Sequence, residues 1–518
     1  MLRKIAKNAY IMGTGTLLSR LLGFVRDILV AGFFGTSNLL EAFLVSFKLP
    51  NIFRSIFAEG FADSVATPVL AEQQGDKKRI FEISTRLFSI LAVGLLLFTI
   101  LGIIFAKFLV ALIAPGFISE TAKFNLTVSF TRATFTYLIL IGLSSIAIAV
   151  LYSLKKFFIA AVTPIFLNIS FIIGILLFSR YFRNYILIAC VLVGGLLQVI
   201  IPFISLRRSG FILSFDFRAG LRDASIIRMM KLFVPRVWSS LVYHLSVFID
   251  TIFSSLSSVV GQGAVASVYY ANRLIQFPFA LIALSISRVA IVDLSSYHHK
   301  GDLKNFQKLL IFSFQNIAVF IIPLSVLFMF LSDGIVDVVF TRGEFGLNSK
   351  QLTSSALFFY SFGLFFFCAI RLFVNAFYAL KDTVTPAKIA SFSLLVNVVL
   401  SAILMFPLKI GGVALGSSLA AVFNFCFLYK ELIKRVGKIE WLDTMAQFRK
   451  VLALSFVTAS IARLLWDYLS LSKYLTASIV ALVVLLVFFL GGYITGLRQV
   501  VYLLTVVKSR FKRFIFRR

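Results

Sequence analysis

The residues best able to do chemistry are charges in a place where charge is expensive. The stretch Ser19–Gly60, SRLLGFVRDILVAGFFGTSNLLEAFLVSFKLPNIFRSIFAEG, holds apolar runs of bilayer-spanning length and, within them, Arg20, Arg26, Asp27, Glu41, Lys48 and Arg54. An ionised side chain near the bilayer centre costs roughly 2.5 to 3.5 kcal/mol on insertion scales, so these groups need a compensating environment, most simply a wet cavity between helices. Guanidiniums in such a cavity suit phosphate or carboxylate, because each offers two parallel N–H donors and stays charged. Arg20 and Asp27 are seven apart and share a helical face, whereas Arg26 lies about 120° around from Arg20. Arg54 follows Pro50 by four residues, and a helix broken at that proline would aim it inward. Arg273, in SVYYANRLIQFP, has only the neutral Asn272 and Gln276 beside it.

A second set of polar groups suits a small cation or a proton. Asp250, in HLSVFIDTIFSS, follows His244 by six residues; Asn397 and Ser401 are one turn apart, and Ser417 lies on the next apolar run. Neutral oxygens with one carboxylate fit a monovalent ion, and ordinary polar packing explains them as well. For enzymatic chemistry the one carboxylate pair with suitable spacing is Glu59 with Asp63, and a solvated or capping role is the simpler account of that pair.

The elements that must position these groups are helices crossing a membrane. Of 518 residues 60% are hydrophobic and 14% charged, outside the range of soluble domains. Apolar runs of about 20 residues number about fourteen. The formal charge of +30 collects in alternate connections, including Lys77–Arg79, Lys155–Lys156, Arg207–Arg222 and the tail from Lys508, which predicts both termini in the cytoplasm. No basic, aromatic-bearing soluble domain is present to bind nucleic acid. Cys190, Cys368 and Cys426 stand singly in apolar runs, without the spacing of a disulfide or zinc framework. The basic start and first span lack a small-residue cleavage site and read as a retained helix.

Two loop signatures recur at one offset. Gly75-Asp76 returns as Gly301-Asp302, and Tyr152-Ser-Leu-Lys155 returns, equally far along the chain, as Tyr378-Ala-Leu-Lys381. Six helices followed by six related ones in the same orientation predict two lobes around a central site. The expected architecture is therefore an all-α polytopic membrane protein: a six-helix lobe over 1–222, a second over 223–440, and two added helices with a basic tail over 441–518.

The blocks SRLLGFVRD, EAFLVSFKLPNIFRSIFAEG, YYANRLIQFP and FYALKDTVTP resemble the MurJ (MviN) lipid II flippases of the MOP superfamily, over essentially the whole chain. The resemblance implies transfer of the undecaprenyl-diphosphate-linked cell-wall precursor from the inner to the outer leaflet of the bacterial cytoplasmic membrane, by alternating access and with no bond made or broken. It implies that Arg20, Arg26, Arg54 and Arg273, with Asp27 and Glu41, meet the substrate, and that a groove beside the last two helices takes the lipid tail. Family members with a sodium site resemble this chain at Asp250, Asn397, Val413 and Ser417, although Ser401 stands where an acidic residue is common. Sodium or protons are thus the expected coupling ions, with no bound cofactor. The expected partners are lipid II, membrane lipids and other cell-wall synthesis proteins. The competing readings are an exporter of another lipid-linked oligosaccharide or of drugs, and a polytopic glycosyltransferase using the same lipid. A drug exporter would favour carboxylates and aromatics over guanidiniums.

Overall fold

The computed structural model describes the backbone of residues 2–73, 75–437, 442–502 and 505, and their side chains except those of 2–11, 58–60, 63, 64, 235–244, 246, 247, 442 and 443. Every regular element among the described residues is helical. The main helices are α1 (Leu2–Phe34), α2 (Asn38–Ser55), α3 (Lys77–Ile104), α4 (Thr121–Ser153), α5 (Ile165–Phe178), α6 (Ile186–Arg207) and α7 (Ala224–Ser254). They continue with α8 (Ala264–Pro278), α9 (Leu303–Phe330), α10 (Leu347–Ala379), α11 (Val384–Leu408), α12 (Ile410–Val436), α13 (Leu442–Tyr468) and α14 (Lys473–Ile494). Among the described residues, nine helices are long and apolar enough to cross a bilayer; α1 and α2, which carry the embedded charges, are not among the nine.

The constant offset between the two loop signatures holds at the level of single hydrogen bonds. Helix α3 maps residue for residue onto α9, the short helix Ala106–Ile113 onto Ser332–Val339, and α4 onto α10. Asp76 caps α3 by accepting from the Arg79 N–H at 2.9 Å, and Asp302 caps α9 by accepting from the Asn305 N–H at 3.0 Å. Helix α4 ends with the Lys155 N–H donating to Tyr152 O and the Lys156 N–H to Leu151 O; in α10 the Lys381 and Asp382 N–H groups reach Tyr378 O and Phe377 O. That double closure requires a left-handed residue after the helix. Both positions hold lysine, at φ 60° and 61°.

The chain packs as two compact units, Met1–Ser258 with Arg342–Phe345, and Val259–Thr341 with Gly346–Arg518. The packing boundary falls one helix later than the repeat boundary at 222. Helix α7 belongs to the first unit because Phe233 packs on Phe57 and Phe61, with ring centroids 5.7 and 5.0 Å apart, and Ser255 Oγ accepts from the Gly116 N–H. In the same unit the Glu344 N–H donates to Gly32 O at 2.9 Å beside Gly343, whose φ of +55° and contact with the Gly32 carbonyl leave no room for a side chain. The two helices expected as an addition over 441–518 are integral to the second unit. Arg463 binds Asp333 at 2.7 Å and Asp467 at 2.9 Å, Leu331, Ala462 and Val480 form a shared core, and Gln315 donates to Thr444 at 2.9 Å.

The connector between α6 and α7 is clamped to α3. Asp223, fully buried at its carboxylate, binds Arg86 at 2.7 Å and Arg79 at 3.2 Å and accepts from the Ser225 N–H at the start of α7. Burial opposes its ionisation, but the Arg86 hydrogen bond, the Ser225 amide and the Arg79 charge outweigh burial and hold its pKa below the ordinary carboxyl value. A carboxyl with a depressed folded pKa stabilises the fold fully above its unfolded value, and that stabilisation disappears as pH falls through the folded one. Asp223→Asn should therefore lower the melting temperature of the detergent-solubilised protein at pH 7, with the deficit closing below about pH 4. An equal deficit at every pH would show that the charge contributes nothing.

Candidate substrate-binding site

In the first unit, α1 and α2 place the embedded arginines. Asp27 is buried, and both Nε and Nη2 of Arg26 donate to its Oδ1, at 3.0 and 2.8 Å. The Arg26 guanidinium also lies 5.4 Å from the Phe171 ring centroid on α5. Shared-face spacing points to Arg20 as the carboxylate's companion; the pair forms instead with the adjacent residue, because a long guanidinium stem bends around the helix more easily than two turns can be bridged. Arg20 is exposed, with no partner among the described residues. Helix α1 comes close to α5 at this level, where Asn168 donates to Ser19 O at 3.0 Å.

Pro50 does not break its helix, contrary to the expectation from its spacing; α2 runs through it, and the chain then winds as a π-helix over Ile56–Ala66. A proline lacks the N–H for one helical bond, and a wider turn re-registers the remaining donors. Arg54, the last basic residue before that change, receives support from Asn51, whose Oδ1 accepts from Nε at 3.0 Å. The deciding feature is Tyr137 on α4: fully buried, it donates to Gln198 Oε1 at 3.2 Å and lies within electrostatic reach of both Arg54 and Arg26. Two of the expected cations therefore lie within electrostatic reach of one buried phenol, a group that sequence reasoning did not single out.

Other expected site residues are matched locally. Glu41 is buried and binds Lys123 Nζ at 2.5 Å, with the ammonium 4.1 Å from the Phe117 ring centroid. Lys48 Nζ donates to Thr251 Oγ1 and feels the charge of Asp250. In the second unit Arg273 packs over Tyr269, 4.9 Å from its centroid, and donates to its hydroxyl at 3.1 Å. Asn397 Oδ1 accepts from Ser401 at 3.0 Å and from Ser417 at 3.2 Å, with Val413 buried on the same helix as Ser417. Glu59, Asp63 and His244 have side chains outside the described residues.

A family model described as the lipid II flippase MurJ matches residues 30–485. The chain belongs to the MurJ family. Among MurJ relatives, a probable lipid II flippase MurJ of Buchnera aphidicola subsp. Acyrthosiphon pisum is 34% identical over 81% of this chain and 82% of its own length. The lipid II flippase MurJ of Burkholderia cenocepacia is 30% identical over 81% and 82%. A solved lipid II flippase MurJ in an inward closed conformation aligns over 94% of this chain and 98% of that one, at 25% identity and a TM-score of 0.78. An inward-facing multidrug resistance MATE family transporter of the MOP superfamily, at 14% identity and a TM-score of 0.65, shares the fold.

The MurJ-like first half differs from the second where charge is buried. At the positions of the second half equivalent to Glu41 and Lys123 stand two buried serines, Ser267 and Ser349. Removing one member of a buried ion pair strands the other and costs about 3 to 5 kcal/mol, whereas replacing both is close to neutral. Glu41→Gln should therefore destabilise the protein by several kcal/mol in denaturant titration, and Glu41→Ser with Lys123→Ser should recover most of that loss. Additive losses would rule out the pair as the cause.

Proposed function

We infer that this protein carries lipid II across the cytoplasmic membrane of a bacterium, working as a transporter and leaving the substrate chemically unchanged. The match to the MurJ family over residues 30–485 carries this reading, and within the first unit Arg26 and Arg54 both lie within electrostatic reach of the buried Tyr137 hydroxyl. Two guanidiniums within electrostatic reach of one buried phenol supply charge-assisted donors of the kind that diphosphate oxygens accept. Arg20 and Arg273 are proposed to meet the same headgroup at some stage of the cycle, and the basic connections are proposed to face the cytoplasm with both termini. The inward closed MurJ neighbour supports an alternating-access cycle. Such a cycle needs a headgroup that favours neither facing state strongly, because a ligand shifts the balance only by its differential affinity.

Coupling to a proton or sodium ion is proposed through Asp250, whose charge acts on the Lys48 ammonium. A sodium ion at Asn397 and Ser417 would have to displace the two hydroxyl donors now held by Asn397 Oδ1.

The test is translocation of labelled lipid II in proteoliposomes. Arg26→Ala and Arg54→Ala should each slow it by about 10-fold or more, the cost of losing one charge-assisted contact. Arg26→Lys should rescue little, because an ammonium cannot reproduce the two-pronged donor. Unchanged rates at normal protein levels would remove the proposed role, and recovery of a covalently altered lipid would turn the reading toward an enzyme.

A further inference from the structure

We propose that the connector between α6 and α7, residues 207–223, is a binding site for anionic phospholipid that seats this part of the protein in the headgroup layer. One face of the connector is fixed to α3. Phe211 is buried against Phe81 and Phe88, at 5.2 and 6.1 Å between centroids, and the Asp216 N–H donates to Ser89 Oγ at 2.8 Å. Gly220 approaches so closely that a Cβ there would meet Ile90 at 2.9 Å.

The opposite face is apolar and cationic together. Ile212 is 81% exposed and Phe215 71%, with Leu213 and Leu221 also exposed. Arg207, Arg208, Arg218 and Arg222 are exposed among them, and no carboxylate among the described residues pairs with any of the four. Lys156 donates to Ser209 Oγ at 2.6 Å, which adds the Lys155–Lys156 turn to the same patch. The segment's one carboxylate before Asp223 is that of Asp216, engaged by Arg86.

Large apolar side chains displayed to water without a partner mark a surface that something covers. Aromatic and aliphatic groups interleaved with arginine are the composition of segments lying in the membrane interface. Helix α6 is apolar enough to span, and the connector leaves it directly at Arg207, so a lipid leaflet meets this face at the depth where it begins. Each arginine near an anionic surface adds about a fivefold preference for it. The clamp at Asp223, Arg79 and Arg86 makes the anchor move with α3.

The experiment uses the full chain in nanodiscs. Phe215→Cys is labelled with an environment-sensitive dye in a Cys426→Ser background, since Cys426 is exposed. Lipids brominated high on the acyl chain should quench the dye, increasingly as phosphatidylglycerol replaces phosphatidylcholine. Arg218→Gln with Arg222→Gln, both at partnerless surface positions, should raise the anionic fraction needed for half-maximal quenching by up to about 30-fold. A dye that stays unquenched in every lipid mixture would place this face in water, as a soluble protein partner requires, and would overturn the proposal. Quenching that ignores both the anionic fraction and the double substitution would overturn the anionic site as well.

Discussion

The constraint that shapes this protein is the cost of holding guanidiniums among apolar helices without cancelling them. Full neutralisation would be cheapest, and the first unit does it with a lysine where Glu41 takes Lys123. The arginines are treated differently. Arg26 contacts the Asp27 carboxylate, and the arginines also have neutral neighbours: Asn51 beside Arg54, the Phe171 face beside Arg26, and the Tyr137 hydroxyl within electrostatic reach of both. Neutral dipoles orient a guanidinium at modest energetic gain and leave its charge available to a ligand anion.

The repeated frame makes that asymmetry visible. Across α3 to α4 and α9 to α10, one constant shift along the chain preserves the aspartate cap, the helix lengths and even the left-handed lysine that closes α4 and α10. Such identity fixes where the helices run. It does not fix what they carry, because Tyr137 is answered by Gly363, and Glu41 and Lys123 by Ser267 and Ser349. Both halves nevertheless widen into a π-helical stretch after a proline, at Ile56–Ala66 and Phe279–Ala283. Widened turns of this kind are suited to bending, since a π-turn re-registers hydrogen bonds without breaking the rod.

The frame was legible in the sequence because it is written in local signals. Apolar length, an aspartate at each N-cap and the Tyr-x-Leu-Lys turn are all read within a few residues. The arginines were legible because charge in an apolar run is conspicuous. Their surroundings were not: Tyr137, Gln198 and Lys123 lie far along the chain from the groups they serve, and a tyrosine or glutamine in a span carries no spacing signal of its own. Lys123 had a weak clue, as a cation just inside an apolar run. Pairing by helical face misassigned Asp27, since that rule compares Cβ directions while an arginine's charge is carried on a long flexible stem. The boundary at α7 was hidden for a similar reason: a repeat records common ancestry of segments, whereas packing follows where Phe57, Phe61 and Phe233 find one another.

A cationic site of this kind also limits how the protein can let its substrate go. If the arginines gripped a diphosphate with the full strength of several buried ion pairs, release on either side would be slow, and the bound complex would be a trap. Solvation of the exposed Arg20 weakens its hold, and the Asp27 carboxylate competes with any incoming anion for Arg26. In the proposed site, the same carboxylate that lowers the cost of burying Arg26 would thus also lower the affinity for an anion.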